Sequence, residues 1–170
     1  MRWQPRAARR TNRAALALAL GLSVGAALAD QPERFGDWDL LRLPQAGCQL
    51  TQTVISRRSG TRIAEIWLAG QPDGSSVLSA RVPVGVSLPE GIAYRHPSAR
   101  RAVPLTWQLC GPETCLAQAR ITEEETARLK RGSRIVLAFV PVRGSRPLQV
   151  AVSLRGVTAG LRAVAACSPP

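Results

Sequence analysis

The sequence predicts an all-β domain, a single-domain sandwich or barrel-like fold with one short helix and disulfide staples. Three observations predict it. Apolar residues alternate with polar ones in a series of short runs broken by turn residues. Only one stretch, 122–132, breaks that rhythm with clear helix-start and helix-stop signals. Four cysteines, Cys48, Cys110, Cys115 and Cys167, stand in a chain whose first residues read as an export leader, and an even count there reads as disulfides.

The leader spans residues 1–29. Five arginines and no acid come first, then the apolar run Ala14–Leu22, then Ala27-Leu28-Ala29 before the polar Asp30-Gln31-Pro32-Glu33. A basic region, a short apolar region and a small-x-small cleavage site make a secretory signal peptide. Gly21, Ser23 and Gly25 interrupt the apolar run, which is short for an uncleaved membrane anchor. Arg9-Arg10-Thr11 has the arginine pair of a twin-arginine signal without the apolar residue expected after it. Cleavage after Ala29 leaves 30–170 as one domain, with no later segment apolar enough to span a bilayer. The whole chain carries +12, but five of its 23 basic residues and none of its 11 acids lie in the leader, so the mature part carries +7.

The elements follow in order. Trp38 and Leu40 alternate with Asp37 and Asp39 in a first strand; Cys48, Leu50, Gln52 and Val54 share one face of a second. Arg62 to Leu68 is a third strand, ended by Gly70-Gln-Pro-Asp-Gly74, and Val77 to Val86 a fourth, with Pro83 marking an edge or bend. Ile92 to Tyr94 starts a short fifth. Val103 to Cys110 puts Leu105, Trp107 and Leu109 on one face, and Cys115 to Ile121 follows the turn Gly111-Pro-Glu-Thr114. Thr122-Glu-Glu-Glu125 is a capping box that opens the helix, with three acids at its N-terminus, Arg128, Lys130 and Arg131 at its end, and Gly132 as the stop. Arg134 to Val142 reads as a strand buried on both faces, and Leu148 to Leu154 alternates cleanly. Val157, Leu161 and Val164 fall on one face of a helical turn at Thr158 to Val164, before the tail Cys167-Ser-Pro-Pro170.

Few residues carry chemistry. The one histidine, His96, precedes Pro97 in a turn-like stretch, and no nucleophile or orienting acid is evident beside it. Glu123 to Glu125 are accounted for by the helix dipole. Cys110 and Cys115 enclose four residues, not the two of a thiol oxidoreductase motif, and suit a structural clasp across a turn. Cys48 and Cys167 lack the close partners of a four-cysteine zinc site. Three disulfide pairings remain open. Trp38, Trp67 and Trp107 sit on the apolar rhythm of their strands, which favours core packing over a carbohydrate platform. No cofactor, metal or catalytic residue is expected. The basicity is almost all arginine, with Lys130 the only lysine, and it is scattered without interleaved aromatics, which argues against nucleic acid.

Several segments in order resemble the invasion-associated locus B family of exported bacterial proteins. Phe35-Gly36-Asp37-Trp38 resembles its opening motif, and Cys48-Gln49-Leu50-Thr51-Gln52 its cysteine-to-glutamine strand. Val82–Gly91, Pro104–Ala117, Ala127–Gly132 and Val152–Leu161 are similar to its later motifs. Each is weak alone, and the ordered set covers nearly all of 30–170. Two departures stand out. The family usually carries a cysteine shortly after the opening tryptophan, where this chain has Leu40-Leu41-Arg42-Leu43, and Thr114 replaces a glycine before Cys115. With its usual partner missing, Cys48 is expected to pair with Cys167, beside Cys110–Cys115.

The resemblance implies an exported, non-enzymatic envelope protein, periplasmic or associated with the outer surface. Founding members are linked to entry into host red cells, and relatives also occur in bacteria that invade nothing. The expected partner is an unknown envelope or host-surface component, anionic if the arginines Arg81, Arg95, Arg100, Arg101 and Arg155 make the contact. The rival readings are an exported enzyme with an unrecognised site and a thiol-active folding factor using Cys110 and Cys115. The partner's identity and the oligomeric state are not legible in the sequence.

Overall fold

The computed structural model describes residues 32–44 and 47–167. The leader, the cleavage site and the last three residues of the tail lie outside them. Ten strands form a single sheet, antiparallel at every pairing: β1 Arg34–Phe35, β2 Trp38–Leu43, β3 Gly47–Ile55, β4 Arg62–Gly70, β5 Ser76–Pro83, β6 Ile92–Arg95, β7 Val103–Cys110, β8 Thr114–Ile121, β9 Arg134–Phe139 and β10 Leu148–Ser153. Two helices, α1 Glu123–Arg131 and α2 Val157–Cys167, complete the described part. The spatial order is β1-β2-β3-β4-β5-β8-β7-β6-β9-β10, and the sheet curls into a half-barrel.

Period-2 alternation dictates the inner face. Leu50, Ala64, Ile66, Leu68, Leu78, Ala80 and Val82 point inward and are fully buried, and β6, β9 and β10 add Ile92, Tyr94, Ile135, Leu137, Val150 and Val152. One row runs across five strands in register, Gln52, Ile66, Ala80, Ala117 and Trp107. Alanines at its centre let the sheet bend tightly, because large side chains there would collide inside the curve. The strand at 134–139 is buried on one face only: Ile135, Leu137 and Phe139 are buried while Val136 and Ala138 are half-buried.

Two elements differ from expectation. The Thr122 hydroxyl accepts from the Glu125 N–H at 3.2 Å, as a cap should, but the Glu125 carboxylate accepts from Tyr94 Oη at 3.3 Å and pairs with Arg128. The core claims the side chain that would have completed the box. The expected turn near 158–164 is a helix of 11 residues that ends at Cys167. Gly160, a poor helix former, is tolerated because it lies against the buried Leu50, whose Cδ2 would stand 2.6 Å from an added Cβ.

The two helices lie at one end of the half-barrel. Thr126 Oγ1 donates to Ser76 Oγ, Leu161 lies over Gly70, and Thr158 Oγ1 donates to the Lys130 carbonyl between the helices. The opposite end carries the loops 56–61, 84–91, 111–113 and 140–147 and, among the described residues, no helix longer than the single turn Leu88–Glu90.

Candidate functional site

The densest polar cluster is the seam where the sheet's two margins meet. Gln52, buried on β3, reaches across to β10: its Nε2 donates to the carbonyls of Asp37 (3.1 Å) and Ser153 (3.2 Å), and its Oε1 accepts from the Ser153 N–H at 3.0 Å. Trp38 Nε1 donates to the same Ser153 carbonyl at 2.9 Å. The Ser153 hydroxyl donates to the Asp37 carboxylate at 2.6 Å, and Arg155 grips that carboxylate through Nε and Nη2. These bonds replace the strand ladder that a closed barrel would have between β10 and the β1–β3 margin.

The backbones approach closely there. A Cβ on Gly36 would overlap the Arg155 carbonyl, and one on Gly156 would overlap the Phe35 carbonyl. Both glycines have positive φ, 59° and 97°. Arg155 and Ser153 hold the Asp37 carboxyl below the usual carboxylate range, and Asp37 in turn pushes Arg155 up. A seam whose donors and acceptors are matched to one another is a closure device. It leaves no poised base or nucleophile among these residues.

The structure joins Cys48 to Cys167 and Cys110 to Cys115. Arg42 is the register partner of Cys48 on β2, so the stretch without a cysteine places an arginine opposite it, and α2 supplies Cys167 from above with the Cα atoms 5.8 Å apart. Cys110 and Cys115 are register partners on β7 and β8, Cα atoms 4.0 Å apart, bridging the hairpin turn. Cys115 is buried and Cys110 exposed.

The five expected contact arginines do not form one surface. Arg81 lies on the outer face of β5, 4.4 Å above the Trp67 ring and 3.8 Å from Glu65 across the ladder. Trp67 is therefore half-buried on the outside, since Ala64, Ile66 and Leu68 take the inner positions of β4. Arg155 is held in the seam. Arg95, Arg100 and Arg101 are exposed together at the helix end of the barrel, on β6 and the loop after it. His96 sits beside them, its Nδ1 2.7 Å from Ser98 Oγ, and its ring packs where a Gly132 side chain would be. Trp38 is in the core, and Trp107 is half-buried with its Nε1 donating to the Leu88 carbonyl. Burial and the neighbouring Glu125 push the Tyr94 hydroxyl up, so it stays protonated and serves as a donor.

Sequence reasoning did not assemble the seam, although the motifs at 35–38, 48–52 and 152–161 each contribute to it. It also left the loop arginines Arg57, Arg58, Arg143 and Arg146 unassigned. All four are exposed at the loop end.

The model of the family described as "Invasion associated locus B (IalB) protein" matches residues 42–165. Two curated relatives, both called invasion protein B homologs, come from Brucella abortus strain 2308 and from biovar 1 strain 9-941. Each is 27% identical over 133 residues, which is 76% of this chain and 76% of the relative. The crystal structure of invasion associated protein B from Bartonella henselae superposes with a TM-score of 0.70 at 19% identity, covering 80% of this chain and 96% of that one. That likeness is to the mostly β, antiparallel half-barrel fold.

Proposed function

The chain belongs to the invasion associated locus B family, and from that premise we propose that it is an exported envelope protein that acts by binding. Its place is the periplasm or the outer surface of the cell, and its partner an envelope or host-surface component with negative charge. The observation that carries the reading is the bond between Cys48 and Cys167, 119 residues apart, together with the Cys110–Cys115 clasp. Bonds of this kind form and persist in oxidising compartments. The leader-like residues 1–29 supply a route there. Among the described residues no helix is long and apolar enough to cross a membrane. The free arginines Arg95, Arg100 and Arg101 supply positive charge without a paired acid among the described residues. The relatives' name, invasion protein B homolog, makes a host surface one of the partners to test.

Membrane-impermeant biotin applied to intact and to permeabilised cells tests the location, with the N-terminus of the recovered protein read by mass spectrometry. Labelling only after the outer membrane is breached, with a start at Asp30, is the periplasmic outcome. Labelling of intact cells is the surface outcome. A protein that begins at Met1 and fractionates with the cytosol refutes export.

A further inference from the structure

Among the described residues, exposed large apolar side chains are concentrated at one end. Seven large hydrophobic side chains are exposed among the described residues, and six of them, Ile55, Val84, Leu88, Leu109, Val142 and Leu148, lie on the loop end of the half-barrel. Single exposed hydrophobics are ordinary, whereas six gathered at one end of a fold mark a surface with apolar character. The loops that carry them are tied together: the Val84 N–H donates to the Glu113 carbonyl, the Ser87 N–H to Val140, and Trp107 Nε1 to Leu88. Behind them a shallow cavity of about 210 Å³ is walled by Ile63, Val84, Val86, Phe139, Pro141 and Leu148.

Arginines stand on two of the loops at the same end. Arg57 and Arg58 stand on the β3–β4 turn, Arg62 starts β4, and Arg143 and Arg146 flank Gly144 on the β9–β10 loop. All five are exposed, and none is in an ion pair among the described residues. Glu90 and Glu113 are the acids of these loops. The helix end has free arginines too, but no such apolar set beside them.

We propose that the loop end of the half-barrel docks peripherally on an anionic phospholipid bilayer, its apolar tips entering the headgroup boundary and its arginines holding lipid phosphates. This rests on the binding reading above and names its partner. A soluble anion would engage the arginines and leave the apolar tips in water. A small apolar ligand would do the reverse. A second copy of the chain would set two sets of unpaired arginines against each other. An anionic lipid surface meets both halves of the pattern: apolar tips partition to the acyl boundary, and arginine stems lie along it with the guanidinium at the phosphate.

The test is co-sedimentation of the protein as recovered after export with vesicles of phosphatidylcholine alone or with about one-third phosphatidylglycerol. Binding is expected only with the anionic lipid and falls as salt is raised. Arg143→Gln with Arg146→Gln should weaken it about 25-fold, at roughly fivefold per arginine. Val84→Ser with Val142→Ser should weaken it about tenfold at unchanged charge. Arg131→Gln, Arg134→Gln and Arg162→Gln together, exposed at the helix end, should cost about twofold, through net charge alone. On the reading above the exported protein begins at Asp30, so the arginine-rich residues 1–29, which would bind an anionic bilayer themselves, do not mask the differences. Loss of binding confined to the helix-end triple variant overturns the proposal and leaves the anionic-partner reading standing. Competition by millimolar inorganic phosphate with no effect of the valine variants also overturns it, in favour of a soluble anion. Absence of binding to either vesicle overturns it outright, while the biotin experiment decides export separately.

Discussion

Gln52 carries three hydrogen bonds from a position buried inside the half-barrel, and each joins it to a residue on the other margin of the sheet or in the turn before β2. Gln52→Ala leaves the Ser153 N–H and the Asp37 carbonyl without this partner and the Ser153 carbonyl with Trp38 Nε1 alone, which should cost about 2–3 kcal/mol in urea unfolding. Gln52→Glu should cost more than Gln52→Ala, because a carboxylate would face the Asp37 and Ser153 carbonyls with no proton to give. A Glu variant as stable as wild type would show that the amide orientation does not matter. Asp37 gives the seam a pH dependence. Its folded pKa is lowered from 3.8, so its contribution is present above that value and is lost as pH falls through the lower folded value. The stability gap between wild type and Asp37→Asn should stay constant above about pH 5 and narrow below pH 4. A gap that widens on acidification would contradict the assignment.

Glycine placement decides how tightly the elements pack. In an isolated helix Gly160→Ala would gain about 1 kcal/mol. Here the added methyl meets Leu50 Cδ2 at 2.6 Å and Cδ1 at 2.7 Å, and Leu50 is fully buried under α2. The variant should instead lose about 1–3 kcal/mol, measured by the thermal midpoint, because the overpacked core cannot yield freely. Strands were legible in the sequence because apolar residues at period two survive any register, and α1 because Thr122 and Gly132 bracket it. Trp67 was not: Ile66 and Leu68 already claim the inner face, and Glu65, two residues before Trp67, shares its outer one. The seam was not either. Asp37, Gln52 and Ser153 each look like ordinary polar residues of a strand or turn, and only folding brings them together across as many as 116 residues of chain. The resemblance flagged the motifs that contain them without saying what the residues do.

At the scale of the whole molecule the two ends are built differently. Helices α1 and α2 sit at one end, and Cys48–Cys167 fastens the last residue of α2 to β3 beside the open margin of the sheet. Cys110–Cys115 only tightens a hairpin between neighbouring strands. By chain entropy the long loop should stabilise by about 5 kcal/mol and the short one by about 2 kcal/mol. The consequences should also be distributed differently. Cys48→Ala with Cys167→Ala should release the end of α2, so amide exchange should accelerate first in α2 and the seam, ahead of the central β4–β5–β8 ladder. Cys110→Ala with Cys115→Ala should accelerate exchange around 109–116 and leave α2 protected. Denaturant unfolding and amide exchange on both double variants measure this directly. Equal losses, or uniform acceleration in both, would mean the sheet stays closed without the α2 anchor and that the polar seam alone holds its margins.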